Sequence, residues 1–221
     1  MKQLTRTQSR AGLSLRQQVG ARLRSALIAG ELMPGITYSV PTLAEQFGVS
    51  ATPVREAMLD LVQQGIVAAV PNKGFRVVEM SAGDLDALAE VRRLLEVPVV
   101  ARISGTIAAG ELDELRQIAE RVRVAAMDAD LVSYLEGDRE FHLRLLSAAG
   151  NERLVTIVDS LRTQSRLYAL GALAAEGNLV PSALEHIELL EAVARGDADA
   201  AADLMHHHLD HVRGSWARHH A

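Results

Sequence analysis

The chain has 221 residues, 48% of them hydrophobic but only 3% aromatic, with no Cys and a formal net charge of -5. That is enough material for one large domain or two small ones, and the Ala-, Leu- and Arg-rich mixture favours helices packed on helices. No disulfide frame is available, no apolar run approaches the ~20 residues of a membrane helix, and no secretory segment opens the chain. A cytoplasmic protein with no membrane contact is expected.

The charge is unevenly spread. Residues 1–79 hold 9 Lys and Arg against 5 Asp and Glu, the rest holds 14 against 23, and all 8 His fall in that acidic part. A basic first third suits a DNA-facing module, because cationic side chains displace counterions condensed on phosphate. Lys2, Arg6 and Arg10 lie among polar residues and read as a basic arm or a plain disordered terminus. Residues 15–29 place Val19, Leu23, Ala26 and Leu27 on one face of a helix, which Gly30 and Pro34-Gly35 stop.

Two short helical patterns follow. Leu43, Ala44 and Phe47 give the first its apolar face, and Val54, Ala57, Met58, Leu61 and Val62 the second. Between them, Gly48 can take the left-handed conformation that a tight helix-turn-helix corner needs. Ser50 or Thr52 can cap the second helix, with Pro53 in its first turn, where a missing N–H does no harm. A DNA-reading helix-turn-helix puts the start of its second helix in the major groove, and Ser50, Thr52, Pro53 and Arg55 stand there. An ordinary pair of antiparallel helices has the same pattern. After Gly65, residues 66–70 and 75–79 are β-prone and read as a hairpin with Pro71-Asn72-Lys73-Gly74 at its tip.

From Ser81 onward the pattern is almost wholly helical. Six helices are expected, over 84–109, 112–127, 130–149, 152–175, 181–194 and 198–219, with breaks rich in Gly, Asn and Asp. Pro98 should kink the first of them. Short connections imply antiparallel neighbours. The fold class is therefore mainly α: a winged helix-turn-helix over 13–79, followed by an antiparallel helical bundle over 83–218.

Polar residues interrupt the apolar stripes of that bundle. Asp138 and His142 fall on the stripe of Leu131, Leu135, Leu145 and Ala149, four residues apart. His186 lies on the face of Ala183, Leu190 and Val193, and His208 on that of Ala201, Leu204, Met205, Val212 and Trp216. Burying such groups costs several kcal/mol unless something pairs with them. One carboxylate and three imidazoles make a sound set for a divalent transition metal. Each also has a plainer reading: a hydrogen-bonded core histidine, or for Asp138 with His142 an i,i+4 pair. His206, His207, His211, His219 and His220 are read as solvated.

Residues 15–78 resemble the winged-helix domain of the GntR family of bacterial transcription regulators. The matching residues are Ile28-Ala29-Gly30 with Pro34-Gly35, Leu43-Ala44, the string VSATPVREA from Val49 to Ala57, and Gly74-Phe75-Arg76-Val77. The resemblance implies operator DNA as partner, and phosphate contacts from Lys73 and Gly74 at the wing tip. The chain departs from the family at Ala51, where Arg is usual, and near Val40, where an acidic residue is usual. Losing that Arg removes a DNA contact and points to a different operator.

Residues 84–213 resemble the FCD ligand-binding domain of the FadR subfamily. The matching strings are Glu90-Val91-Arg92 with Leu95-Glu96, Asp138-Arg139-Glu140-Phe141-His142, Gly150-Asn151, Glu185-His186, Gly196-Asp197, and Met205 with His208-Leu209. The metal ligands of that family carry over to Asp138, His142, His186 and His208, for zinc, nickel or manganese. Its effectors are small organic acids, and Arg92 is the candidate partner of an effector carboxylate, or else it closes an ion pair with Glu96. The resulting reading is a homodimeric regulator that binds double-stranded operator DNA under control of a carboxylate effector. The alternative is a metal-dependent hydrolase or lyase with an accessory basic domain. It would need a general base beside metal-bound water, and Glu140 faces away from the Asp138–His142 stripe. A metabolite-binding module without DNA activity is a third reading, against which the VSATPVREA string counts.

Overall fold

The computed structural model describes residues 14–219, with the side chains of all but 166–173, 175 and 212–219. Residues 1–12, the Val212 and Trp216 side chains of the last stripe, and the His219 and His220 side chains lie outside that description.

Helix α1 (Leu15–Ile28) starts at a capping box, in which the Ser14 hydroxyl accepts from the Gln17 N–H and the Gln17 side chain accepts from the Ser14 N–H. It buries Val19, Leu23 and Ala26. A two-residue strand β1 (Thr37–Tyr38) follows, then α2 (Val40–Phe47) and α3 (Ala51–Gln63). Gly48 ends α2 at φ 67, ψ 37, the left-handed corner expected from its position. Arg22 holds the same corner from α1, its guanidinium donating to the Phe47 carbonyl at 2.8 Å and lying 4.7 Å from the Phe47 ring centroid. Ser50 is the N-cap of α3, though its side chain makes no capping bond.

Strands β2 (Val67–Val70) and β3 (Gly74–Val77) form the expected hairpin, and β1 adds to the outer side of β3, so the sheet runs β1-β3-β2, all antiparallel. The third strand was not foreseen, since two residues carry no period-2 signal. Gly74 allows the pairing. At φ +124 a Cβ there would lie 2.2 Å from the Tyr38 carbonyl oxygen, so only glycine lets β3 approach β1 this closely. Leu23, Leu43, Val54, Met58, Leu61, Ile66, Phe75 and Val77 close the core of this unit.

Six helices follow: α4 (Ala82–Ile103), α5 (Ala109–Met127), α6 (Leu131–Ser147), α7 (Glu152–Ala175), α8 (Leu179–Arg195) and α9 (Ala198–His219). Helix α4 runs on through Pro98 but stops at Ile103, six residues before the expected end. The reason is tertiary. The Gly105 N–H donates to the Val193 carbonyl at 2.8 Å, and Gly105 packs against Gly196, so two turns dock backbone to backbone. Helix α8 begins two residues earlier than expected, because Pro181 is accommodated in its first turn, where N–H groups lack helical partners. The bundle core gathers Val100, Leu115, Phe141, Leu145, Leu146, Leu189, Leu190 and Met205. Gly137 lets α6 lie close to α5, since a Cβ there would meet Val122 at 2.8 Å. The two units touch where α1 packs on α6 and α7, with Leu135 of α6 resting against the N-terminal core.

Candidate metal centre and DNA-facing helix

Asp138 and His142 stand one turn apart on α6, His186 on α8 and His208 on α9. All four are buried, and one ligand atom from each lies within 4.8 Å of the others. His186 Nε2 is 3.1 Å from His142 Nε2 and 3.2 Å from Asp138 Oδ1, while His142 Nε2 is 4.0 Å from the same oxygen. An ion with ~2.0–2.1 Å bonds to tetrahedral ligands separates them by about 3.3 Å, which falls inside this range.

The outer atoms of the rings are held as metal ligands require. His186 Nδ1–H donates to the Ala183 carbonyl at 3.3 Å, and His208 Nδ1–H donates to Glu185 Oε2 at 2.7 Å. Both rings therefore turn an Nε2 lone pair inward. His142 is the exception that argues for an ion. Its Nδ1 is buried without a hydrogen bond, and Glu96 Oε2 stands 3.8 Å away. If His142 carries its proton on Nδ1, two Nε2 lone pairs face each other at 3.1 Å; if on Nε2, Nδ1 is a buried acceptor with no donor. A cation among the Nε2 atoms removes the first conflict, and it fixes the proton on Nδ1, the side of Glu96. Burial, and then the nearby Arg162 charge, push the His142 pKa well below its usual value, so the ring is the neutral ligand a metal needs.

Behind the centre lies a chain of ion pairs. Arg162 of α7, also buried, donates from Nη2 to Asp138 Oδ2 at 2.7 Å and from Nη1 to Glu96 Oε2 at 3.0 Å. Arg92 donates from Nε to Glu96 Oε1 at 2.7 Å and from Nη1 to Ser165 at 3.3 Å. The ion-pair alternative for Arg92 is thus the arrangement present. Sequence reasoning missed Arg162, although its place four residues after Val158 put a charge on an apolar stripe, the signal already used for the histidines. Sequence reasoning also missed Glu185, hydrogen-bonded to His208. Glu140 pairs with Arg121 at the surface, turned from the centre.

A cavity of about 510 Å³ reaches this network from the junction of the two units. Asp138, Arg162 and Thr163 line it on the bundle side, and Arg24, Ile28 and Gln64 on the other; Arg92 is not on its wall. Two polar atoms here lack partners, Gln64 Oε1 and Arg162 Nε, both buried without hydrogen bonds. Burial lowers the Arg24 pKa, as expected of a guanidinium facing a cleft rather than solvent.

On the other unit, Ser50, Thr52 and Arg55 are exposed at the start of α3, and Lys73 at the hairpin tip. Pro53, in the same turn, differs from these three. It is buried, so it seats α3 on the core. Gly74 is half-buried and serves the β1 contact described above. Arg16, bound to Asp60, and Arg22, bound to Phe47, use part of the basic first third internally.

The profile for bacterial regulatory proteins of the gntR family matches residues 15–77, and that for the FCD domain matches residues 87–211. This chain belongs to the GntR family, with the FCD domain of its FadR-like members. The HTH-type transcriptional regulator McbR of Escherichia coli is 32% identical over 149 residues, 67% of each chain. The transcriptional repressor RspR of the same organism is 25% identical over 90% of this chain and 87% of its own. The solved structure of E. coli McbR/YncC superposes with a TM-score of 0.77 at 25% identity, covering 95% of this chain and all of that one. These relatives are transcription regulators, and the hydrolase or lyase reading gives way to that finding. Among the described residues no helix is long and apolar enough to cross a membrane.

Proposed function

We propose that this regulator is a cytoplasmic homodimer whose affinity for operator DNA is set by a small carboxylate effector bound beside a divalent transition ion. The ion, zinc, nickel or manganese, is held by Asp138, His142, His186 and His208. The observation that carries the reading is the buried meeting of three imidazoles around one carboxylate, with no tautomer of His142 satisfying both ring nitrogens. The working units are 13–79, which presents Ser50, Thr52, Arg55 and Lys73 to double-stranded DNA, and 83–218, which binds the effector and the second subunit.

The cavity suggests how the two communicate. An effector entering it meets Arg162 beside the ion and Arg24 on α1, so its carboxylates span both units. Arg92 supports the site from behind, through Glu96. A ligand shifts only states that it binds unequally, and one that bridges α1 to α7 prefers a single placement of the DNA-binding unit. Chelator-stripped, tag-free protein should gain thermal stability when zinc is returned and gain again with added small organic acids, while His142→Ala should lose the first gain. If stripping and zinc return leave the melting temperature of wild type and His142→Ala alike, the four side chains are core packing and the reading fails.

A further inference from the structure

A second group of ligand-type side chains lies outside the buried centre. His207 and His211 are four residues apart on α9, so both project from one face of the helix, the spacing by which a helix offers two imidazoles to one metal. Glu185 of α8 faces them. Its Oε1 is 2.6 Å from His211 Nδ1 and 3.7 Å from His207 Nε2, and the three ligand atoms lie within 4.8 Å of one another. A hydrogen bond accounts for His211. It does not account for His207, whose separation is too long for one although its ring nitrogen approaches the same oxygen. His207 is 71% exposed, which leaves room for water to complete a coordination shell, whereas Glu185 is 11% exposed and fixed.

Two imidazoles and one carboxylate suit zinc, nickel and copper, and with Cu²⁺ at the top of the affinity order. We propose that Glu185, His207 and His211 form a second, solvent-facing site for a divalent transition ion, next to the buried centre and joined to it through one carboxylate. Oxygen Oε1 faces the outer site, and Oε2 accepts from His208, whose ring belongs to the inner one. The outer site does not depend on the inner one being filled.

Zinc titration of the full, untagged, chelator-stripped chain tests this, read by calorimetry and by elemental analysis after gel filtration. Wild type should bind two ions per chain. The double variant His207→Ala/His211→Ala should bind one, and His142→Ala should keep the ion that the double variant loses. His207→Gln, at a side chain too exposed to disturb the fold, should weaken the outer ion at least about tenfold without changing the melting temperature of the metal-free protein. It carries the test should the double variant not fold. One ion per chain, abolished in the double variant and untouched by His142→Ala, would support the outer site while removing the inner one. Wild-type stoichiometry and affinities in the double variant and in His207→Gln overturn the proposal. So does loss of the ion in His206→Ala with retention in His207→Gln, which would place it on His206 and Asp210, whose Nδ1 and Oδ2 lie 3.3 Å apart one turn along α9.

Discussion

Replacing Arg162 with Met should reveal how much of the bundle rests on its buried charges. Arg162 is 1% exposed and bridges Asp138 and Glu96, both fully buried. Methionine keeps much of the volume and removes the guanidinium. Glu96 retains Arg92, but Asp138 loses the cation at 2.7 Å, and two carboxylates stay buried with one guanidinium between them. Taking one partner from a buried pair costs about 3–5 kcal/mol. For a chain of this size each kcal/mol moves the melting temperature by ~2–4 °C, so the metal-free variant should melt roughly 10 °C below metal-free wild type by circular dichroism. Zinc bound at Asp138 would replace the missing charge there, whereas Glu96 would keep Arg92 alone. Added zinc should therefore raise the variant by more degrees than it raises wild type, yet leave it below. A metal-free variant melting within about 2 °C of wild type would refute the buried ion-pair network, and a smaller gain from zinc would refute the sharing of Asp138 between Arg162 and the ion.

Other perturbations separate the parts. Arg24→Ala should leave zinc binding and operator affinity near wild type while weakening the effector's control over DNA by about tenfold, the loss of one charge-assisted contact; undiminished control in an anisotropy titration removes Arg24 from the effector site. Arg55→Ala should cost ~1–3 kcal/mol of operator binding with an unchanged melting curve if Arg55 contacts a base, and equal affinity in a gel shift would exclude it. Gly74→Ala should destabilise the N-terminal unit, because its Cβ falls 2.2 Å from the Tyr38 carbonyl and the φ is left-handed; an unaltered urea midpoint would show that β1 is dispensable. The metal-free protein should also lose stability with acid. The unfolded chain takes up a proton at His142 near pH 6.5 while the folded one, with its pKa lowered, does not, so this contribution is complete above that pH and shrinks as the pH falls below it. Glu185 acts only lower down, its contribution fading from about pH 4.3 toward 2. Equal urea midpoints at pH 8 and pH 5.5 would contradict the His142 account.

What the sequence determined by itself is what depends on near neighbours. Gly48 ends α2 in the left-handed conformation because no partner is needed to favour glycine there, and the apolar period placed Val19, Leu23, Val54 and Met58 inward correctly. The same period put Asp138, His142, His186 and His208 on inward faces, since burial of a helix face follows from its stripe alone. The tertiary structure decided everything that needed distance. It made Arg162 the partner of Asp138 across 24 residues and Glu185 the partner of both His208 and His211. It stopped α4 early by docking Gly105 on Gly196, and it laid β1 along β3. It also turned Arg92 toward Glu96 and opened the cavity between α1 and α7, choices no local pattern encodes because they rest on which charges meet after helices pack.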